Sequence, residues 1–167
     1  MSVPETLRII HEGVKERYFF EVERIKRLDD KASYIMGIAS ILAALTSGLA
    51  SLSIKISFGG VNIFLFGTSL ILLFAALYFS LRAYQFRTFN IIPDSPTLLG
   101  KCEKMSPEQV TEVLIYNYTL ATEENSKENE KKIWNIKVAT NLIFLSLVFF
   151  GMFAIITIAT NGGGTFG

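Results

Sequence analysis

The sequence predicts an all-α integral membrane protein with three transmembrane helices and cytoplasmic helical extensions. Three windows contain no charged residue: 32–54, 56–81 and 138–167. An apolar helix of roughly 20 residues is long enough to cross the ~30 Å hydrocarbon core of a bilayer, so each window is long enough for a span. The 16 Lys and Arg residues lie outside these windows, almost all of them in two blocks.

Residues 1–33 are predicted to form an amphipathic N-terminal cytoplasmic helix. Gaps of three and four between apolar residues place them on one helical face. That face comprises Leu7, Ile10, Val14, Tyr18, Val22, Ile25, Leu28 and Ala32. A solvated charged face is expected opposite it, with Glu12, Lys15, Glu21, Arg24 and Lys26. The apolar face is expected to cover the protein's own cytoplasmic helix, to pair between subunits or to rest on lipid.

Residues 34–83 are predicted to form a transmembrane hairpin with spans at about 34–54 and 61–82. The turn is placed at SFGGVN, residues 57–62, because two glycines and an asparagine interrupt the apolar run.

The first span has small residues at intervals of four: Ser40, Ala44 and Gly48. A parallel row comprises Ala43, Ser47 and Ser51. Small residues at this spacing allow helices to approach closely in lipid. The span is therefore predicted to be a packing helix, either within the subunit or between copies.

Residues 84–136 are predicted to form a cytoplasmic loop and helix. The second span is expected to extend through residues 84–87 and to stop at IIPDSP, residues 91–96, where two prolines break the helix. A new helix is expected at Pro107, with Ser106 as N-cap and Gln109 completing a capping box.

The helix that begins at Pro107 is predicted to continue into the third span, because residues 108–150 contain no Pro or Gly. A local break is considered at the polar stretch ATEENSKENEKK, residues 121–132. Asn125 and Asn129 lie one turn apart in that stretch and are expected to be exposed. The alternative is that they fix helix register, as Asn does in coiled coils.

The third span is predicted at 137–160 and is followed by an external tail at 161–167. Seven Lys and Arg residues precede the first span, eight lie between Arg82 and Lys137, and one, Lys55, lies in the hairpin turn. Since basic residues favour cytoplasmic loops, the N-terminus is expected to be cytoplasmic and the C-terminus outside, in a multi-pass membrane protein. Trp134 is then positioned as an aromatic interface anchor.

Candidate catalytic and metal-binding residues are sparse, so no enzymatic activity and no metal site are expected. His11 has no nearby Cys or Ser partner, and Cys102 is the one cysteine of the chain. Nucleic-acid binding is not expected either. The three uncharged windows contain no Asp, Glu, Lys, Arg or His, which argues against coupled transport.

The junction RLDDKASYIMGIAS carries a resemblance. Asp30, Lys31, Ala32 and Ser33, at the start of a glycine-containing first span, resemble the junction in transmembrane effectors of bacterial Pycsar anti-phage systems, and more loosely the two-span effectors of related nucleotide-signalled systems. The layout of helices is also similar. The resemblance implies a dormant inner-membrane protein that responds to a cyclic nucleotide as activating ligand, impairs the membrane and is functionally linked to a nucleotide cyclase.

These observations predict a small oligomeric membrane effector whose partners are the bilayer and other copies of itself. If a ligand binds, Arg24, Arg27 and Lys31 are the first candidates to contact it. Asp29 and Asp30 are candidates for salt bridges to another helix or subunit, or for an exposed pair. One alternative function is a non-catalytic scaffold or regulatory subunit that binds a protein through its cytoplasmic helices, and another is an ion channel.

Overall fold

The computed structural model describes residues 4–53, 59–85 and 105–162, with side chains described for 4–48, 59–85 and 105–160. The described residues form three helices, α1 (Glu5–Ser53), α2 (Gly60–Tyr84) and α3 (Pro107–Gly162), and no strand. The predicted all-α fold is confirmed. Lys55, Cys102, the sequence IIPDSP and the end of the tail lie outside the described residues.

The boundaries of α2 differ from the prediction at both ends. The helix begins at Gly60 with Gly59 as N-cap, so Gly60 and Asn62 belong to the helix and not to the predicted turn. It ends at Tyr84, where the Gln85 amide donates a hydrogen bond to the carbonyl of Leu81. Of the predicted extension through residues 84–87, Tyr84 is helical and Gln85 is the C-cap, whereas residues 86 and 87 lie outside the described residues.

The start of α3 is as predicted. The backbone amide of Ser106 donates to Gln109 Oε1 at 3.0 Å, and the Gln109 amide donates to Ser106 Oγ at 3.3 Å, which forms a capping box. Pro107 occupies the first helical position, where its missing N–H leaves no hydrogen bond unmade. The helix then continues for 56 residues, so the local break considered at residues 121–132 does not occur.

The chain divides into two compact units, and both long helices contribute to each. The two-helix unit contains α1 up to Leu28 and α3 up to Lys131. The three-helix unit contains α1 from Asp29, all of α2, and α3 from Lys132.

Aromatic contacts join the helices of the two-helix unit. Tyr118 of α3 packs edge-on against Tyr18 and His11 of α1, with ring centroids 5.4 and 5.8 Å apart. Tyr18 and Ile25 are buried on the face that the apolar periodicity predicts, whereas Ile10 is 45% exposed. The N-terminal part of α1 therefore packs on α3 of the same chain. This is the first of the three alternatives given above for its apolar face.

Small side chains dominate the centre of the three-helix unit. Five alanines there have no exposed surface, which lets the helices approach closely: Ala32, Ala39, Ala76, Ala83 and Ala139. The buried hydroxyls of Ser69 and Ser146 lie 2.9 Å apart, and each also donates to the other residue's carbonyl. Helix α2 runs antiparallel to α3, since Phe66 contacts Phe153 and Phe79 contacts Trp134.

Two helices, α2 and α3, are long and apolar enough to cross a membrane. Only 28% of the most apolar window of α2 and 11% of that of α3 is buried within this chain. The described residues of α1 do not meet the same criterion of length and apolar composition. The predicted span at 34–54 also extends beyond the residues whose side chains are described. Three crossings are thus not shown.

Candidate functional site

A buried polar cluster connects α1 and α3 in the two-helix unit. Asn129 Nδ2 donates to a carboxylate oxygen of Glu21 at 2.7 Å and to the Glu21 carbonyl at 3.3 Å. Arg24 donates to the other carboxylate oxygen at 3.2 Å. Glu21 is therefore not on the solvated face to which the sequence pattern assigns it. Two donors therefore replace hydrogen bonds to water that the Glu21 carboxylate loses at the helix interface.

Asn125 and Asn129 are buried, so the expectation that they are exposed is wrong. They are 2% and 0% exposed, respectively. Asn125 Nδ2 and Asn129 Oδ1 have no hydrogen-bond partner within the described part of the chain. A buried asparagine with an unpaired polar atom lowers the free energy of unfolding. Such residues also restrict the registers in which two helices can pair, which is the alternative interpretation given above for Asn125 and Asn129.

Buried positions recur at intervals of seven on both long helices, a pattern that the sequence predicts on α1 only as far as Ala32. On α1 these positions are Tyr18, Ile25, Ala32, Ala39 and Thr46. On α3 they are Asn125, Lys132, Ala139, Ser146 and Phe153. Both series keep a constant interval of seven, typical of helices paired along a coiled-coil seam. Polar residues within the α3 series conceal it from a reading based only on hydrophobicity.

In the three-helix unit, Asp29 of α1 lies against Lys132 of α3 and accepts a hydrogen bond from its ammonium group. The Lys132 side chain is 5% exposed and that of Asp29 is 32% exposed. The structure thus places Asp29 in a salt bridge to another helix of the same chain. Asp30, the next residue, is exposed.

Two of the three cations expected to contact a ligand make ion pairs along their own helix. Arg24 pairs with Glu21, and Arg27 pairs with Glu23 at 2.7 Å. The Arg27 hydrogen bond and positive charge lower the pKa of Glu23, and Glu23 raises the pKa of Arg27 in return. Lys31 is exposed. The structure does not gather these three residues around a cavity.

A polar groove of about 350 Å³ lies between α1 and α3 in the two-helix unit and was not foreseen from the sequence. The groove is lined by Val14, Arg17, Thr119, Thr122, Glu123, Ser126, Lys127 and Glu130. Glu123 and Lys127 form an ion pair at 2.7 Å. Their hydrogen bond and charges lower the pKa of Glu123 and raise that of Lys127.

The predicted packing row of α1, Ser40, Ala44 and Gly48, is exposed in this chain. Contacts within the chain use another face of the helix, the one that carries Ala39 and Thr46. Over the described part of the chain, Ser40 and Ala44 thus lie away from the internal contacts of α1, and packing of the row between copies stays a prediction.

Trp134 is 58% exposed and packs edge-on against Phe79, with ring centroids 5.9 Å apart. One side of the indole ring is thus held by α2 while much of the ring remains accessible.

No cluster of three or more metal-ligating side chains occurs within the described residues. His11 is half-buried and packs against Tyr118. No known family model, curated protein or solved structure matches this chain.

Proposed function

We propose that this protein is a three-span inner-membrane effector of a nucleotide-signalled anti-phage system, whose copies assemble in the bilayer and impair its integrity. The observation that carries the proposal is the exposure of apolar surface on every helix of the three-helix unit. Ile41, Ile71 and Phe144 are each more than 60% exposed in the single chain. Contiguous exposed apolar surface is typical of contact with lipid or with another protein.

The proposed topology has the N-terminus in the cytoplasm and the C-terminus outside. It is supported by the two basic blocks, which fall on one side of the membrane if α1, α2 and α3 all cross it. The exposed part of Trp134 then contacts the headgroup region near Lys131 and Lys137, as expected of an aromatic anchor.

Assembly of several copies is supported by the exposed small residues of α1. Without a hydrophobic driving force between helices in lipid, close packing at small side chains contributes much of the association energy. Ser40 and Ala44 present such a surface away from the contacts that α1 makes with its own chain.

Control by a cyclic nucleotide is supported by the resemblance at Asp30 to Ser33. Among the residues of the polar groove, Arg17, Lys127 and Ser126 are the donors that suit a small ligand with an anionic group. The carboxylates of Glu123 and Glu130 would accept hydrogen bonds from donors on the same ligand.

The test is controlled expression in bacteria loaded with a potential-sensitive dye, with and without added cyclic nucleotides. We expect loss of membrane potential and growth arrest, both enhanced by the activating nucleotide. An Arg17→Ala variant should lose the nucleotide response, while Arg8→Ala, an exposed cation outside the groove, should keep it. Normal polarisation and growth in every condition would exclude the effector function.

A second candidate function, a scaffold that binds a protein partner, is favoured by aromatic residues in the two-helix unit. Phe19, Phe20 and Tyr116 are each more than half exposed. Affinity purification from native membranes with and without Phe20→Ser tests it. The scaffold function predicts a co-purifying protein that the substitution removes, and recovery of this chain alone contradicts it.

A further inference from the structure

A shallow groove of about 620 Å³ runs along the outer face of α1 in the three-helix unit. It is lined by Asp30, Ser33, Tyr34, Gly37, Ile38 and Ile41. Every one of these residues is exposed, and a Cβ atom added at Gly37 would meet no other atom within 4 Å. The groove therefore has room for side chains from outside the chain.

Helix α2 presents a matching ridge on its outer face. Phe74, Tyr78 and Arg82 follow one another at intervals of four residues, so their side chains line up along the helix. Phe74 and Tyr78 are 61% and 58% exposed, and Arg82 is exposed as well. Ridges with this spacing pack into the grooves of a neighbouring helix.

We propose that the α1 groove of one copy receives the α2 ridge of a second copy. The open space at Gly37 can receive an aromatic ring of the ridge, and the exposed Ile38 and Ile41 add apolar contact. The charges are complementary because Asp30 lies at one end of the groove and Arg82 at one end of the ridge. Neither residue forms an ion pair within the described part of its own chain.

The spacing along the two helices also agrees. At about 1.5 Å per residue, Gly37 lies roughly 10 Å from Asp30, and Phe74 lies roughly 12 Å from Arg82. In the proposed topology α1 and α2 cross the membrane in opposite directions, and Asp30 and Arg82 both lie at the cytoplasmic ends. Pairing Asp30 with Arg82 therefore places Phe74 beside Gly37.

This contact joins two different surfaces, so it is heterologous, and such contacts generate rings when the rotation between copies closes. The inference rests on the three-span topology proposed above, but not on the effector activity. Assembly and growth arrest are separate measurements, so the failure of one does not imply the failure of the other.

Disulfide crosslinking tests the contact directly. In a Cys102→Ser background, Gly37→Cys and Phe74→Cys are introduced into two differently tagged copies that are expressed together. We expect oxidation to link the two tags. Phe144→Cys, on α3 and 70% exposed, is the matched control partner for Gly37→Cys and should not crosslink. Crosslinking between two Gly37→Cys copies, with no link to Phe74→Cys, would overturn the proposal in favour of α1 pairing with itself.

Further variants distinguish loss of the contact from loss of folding. Gly37→Leu fills the groove without a clash inside the chain, so the helix content should stay unchanged while oligomers in mild detergent dissociate. Gly13→Leu, at another glycine with open space around it, should leave the oligomers intact.

Charge reversal tests the ion pair at the end of the contact. Asp30→Arg and Arg82→Asp should each reduce assembly, and the double variant should restore it. Full assembly of Gly37→Leu, or no recovery in the double variant, would contradict the proposed contact.

Discussion

At the scale of single residues, the contact between Glu21 and Asn129 is the best-defined polar interaction between α1 and α3. The amide donates to both the carboxylate and the carbonyl of one residue, and Arg24 completes the coordination of the carboxylate. A buried carboxylate without such donors is strongly destabilising. We therefore expect the stability of the two-helix unit to depend on Asn129 more than on any exposed polar residue of α3.

Replacing Asn129 with alanine should lower the free energy of unfolding by about 1 to 3 kcal/mol, because Glu21 loses a donor inside the helix interface. Thermal unfolding in detergent, followed by circular dichroism, provides the measurement. Asn141→Ala changes the same residue type at an exposed position of α3 and should have little effect. Equal shifts in the two variants would show that the contact does not stabilise the fold.

The Glu123–Lys127 pair should make a small, pH-dependent contribution to stability. Since the pKa of Glu123 lies below its usual 4.5 in the folded protein, its contribution is full above pH 4.5 and is lost as the pH falls through the lowered value. The pKa of Lys127 is raised above 10.5, so its contribution is full below that pH and is lost as the pH rises through the raised value.

Glu123→Gln should therefore melt slightly below the parent protein at neutral pH, and this difference should vanish in acid below the lowered pKa. Salt should reduce it as well, because both side chains are exposed. Melting midpoints across this pH range measure the effect. Glu16→Gln, on the exposed face of α1, is the control, and a difference that grows in acid would contradict the assignment.

At the scale of the elements, α3 is one helix because its start is capped and its polar segment has partners. The side chains of Gln109 and Ser106 accept hydrogen bonds from the backbone N–H groups of Ser106 and Gln109, respectively. Within residues 121–132, the buried side chains of Asn129 and Lys132 contact α1. Residues 121–132, whose polar sequence suggests a break in the helix, are thus held helical by contacts with a second helix.

Ser106→Ala should destabilise the first turn of α3 by about 0.5 to 2 kcal/mol, because the Gln109 amide loses its capping acceptor. Hydrogen exchange should become faster at the amides of Gln109 and Val110 and stay unchanged near Trp134. Thr119→Ala provides the control, since that hydroxyl donates to the Ile115 carbonyl of its own helix. Unchanged exchange at Gln109 would mean that the cap does not stabilise this helix end.

At the scale of the whole molecule, α1 has two faces with different roles in the three-helix unit. Ala39 has no exposed surface and faces the chain's own helices, whereas Ala44 is exposed. Alanine thus packs against the chain's own helices at position 39 and is accessible to another copy at position 44.

Ala39→Leu should lower stability by about 1 to 3 kcal/mol, because the close-packed helices have no room for the added methylenes. Ala44→Leu should leave the unfolding of the single chain unchanged and weaken assembly. Thermal unfolding and oligomer size in mild detergent distinguish the two effects. Loss of stability in both variants would contradict the assignment of the two faces.

Local periodicity, capping chemistry and composition are sufficient to predict the helical fold, the capped start at Pro107, the apolar character of α2 and α3, and the internal face of α1 at Tyr18 and Ile25. The packing of the helices was needed to show that Glu21, Asn125 and Asn129 are buried, that Asp29 pairs with Lys132, and that Ser40 and Ala44 are exposed. Those outcomes depend on which faces of distant segments meet. A polar side chain can be solvated or paired at the same helical position, so local sequence does not distinguish the two.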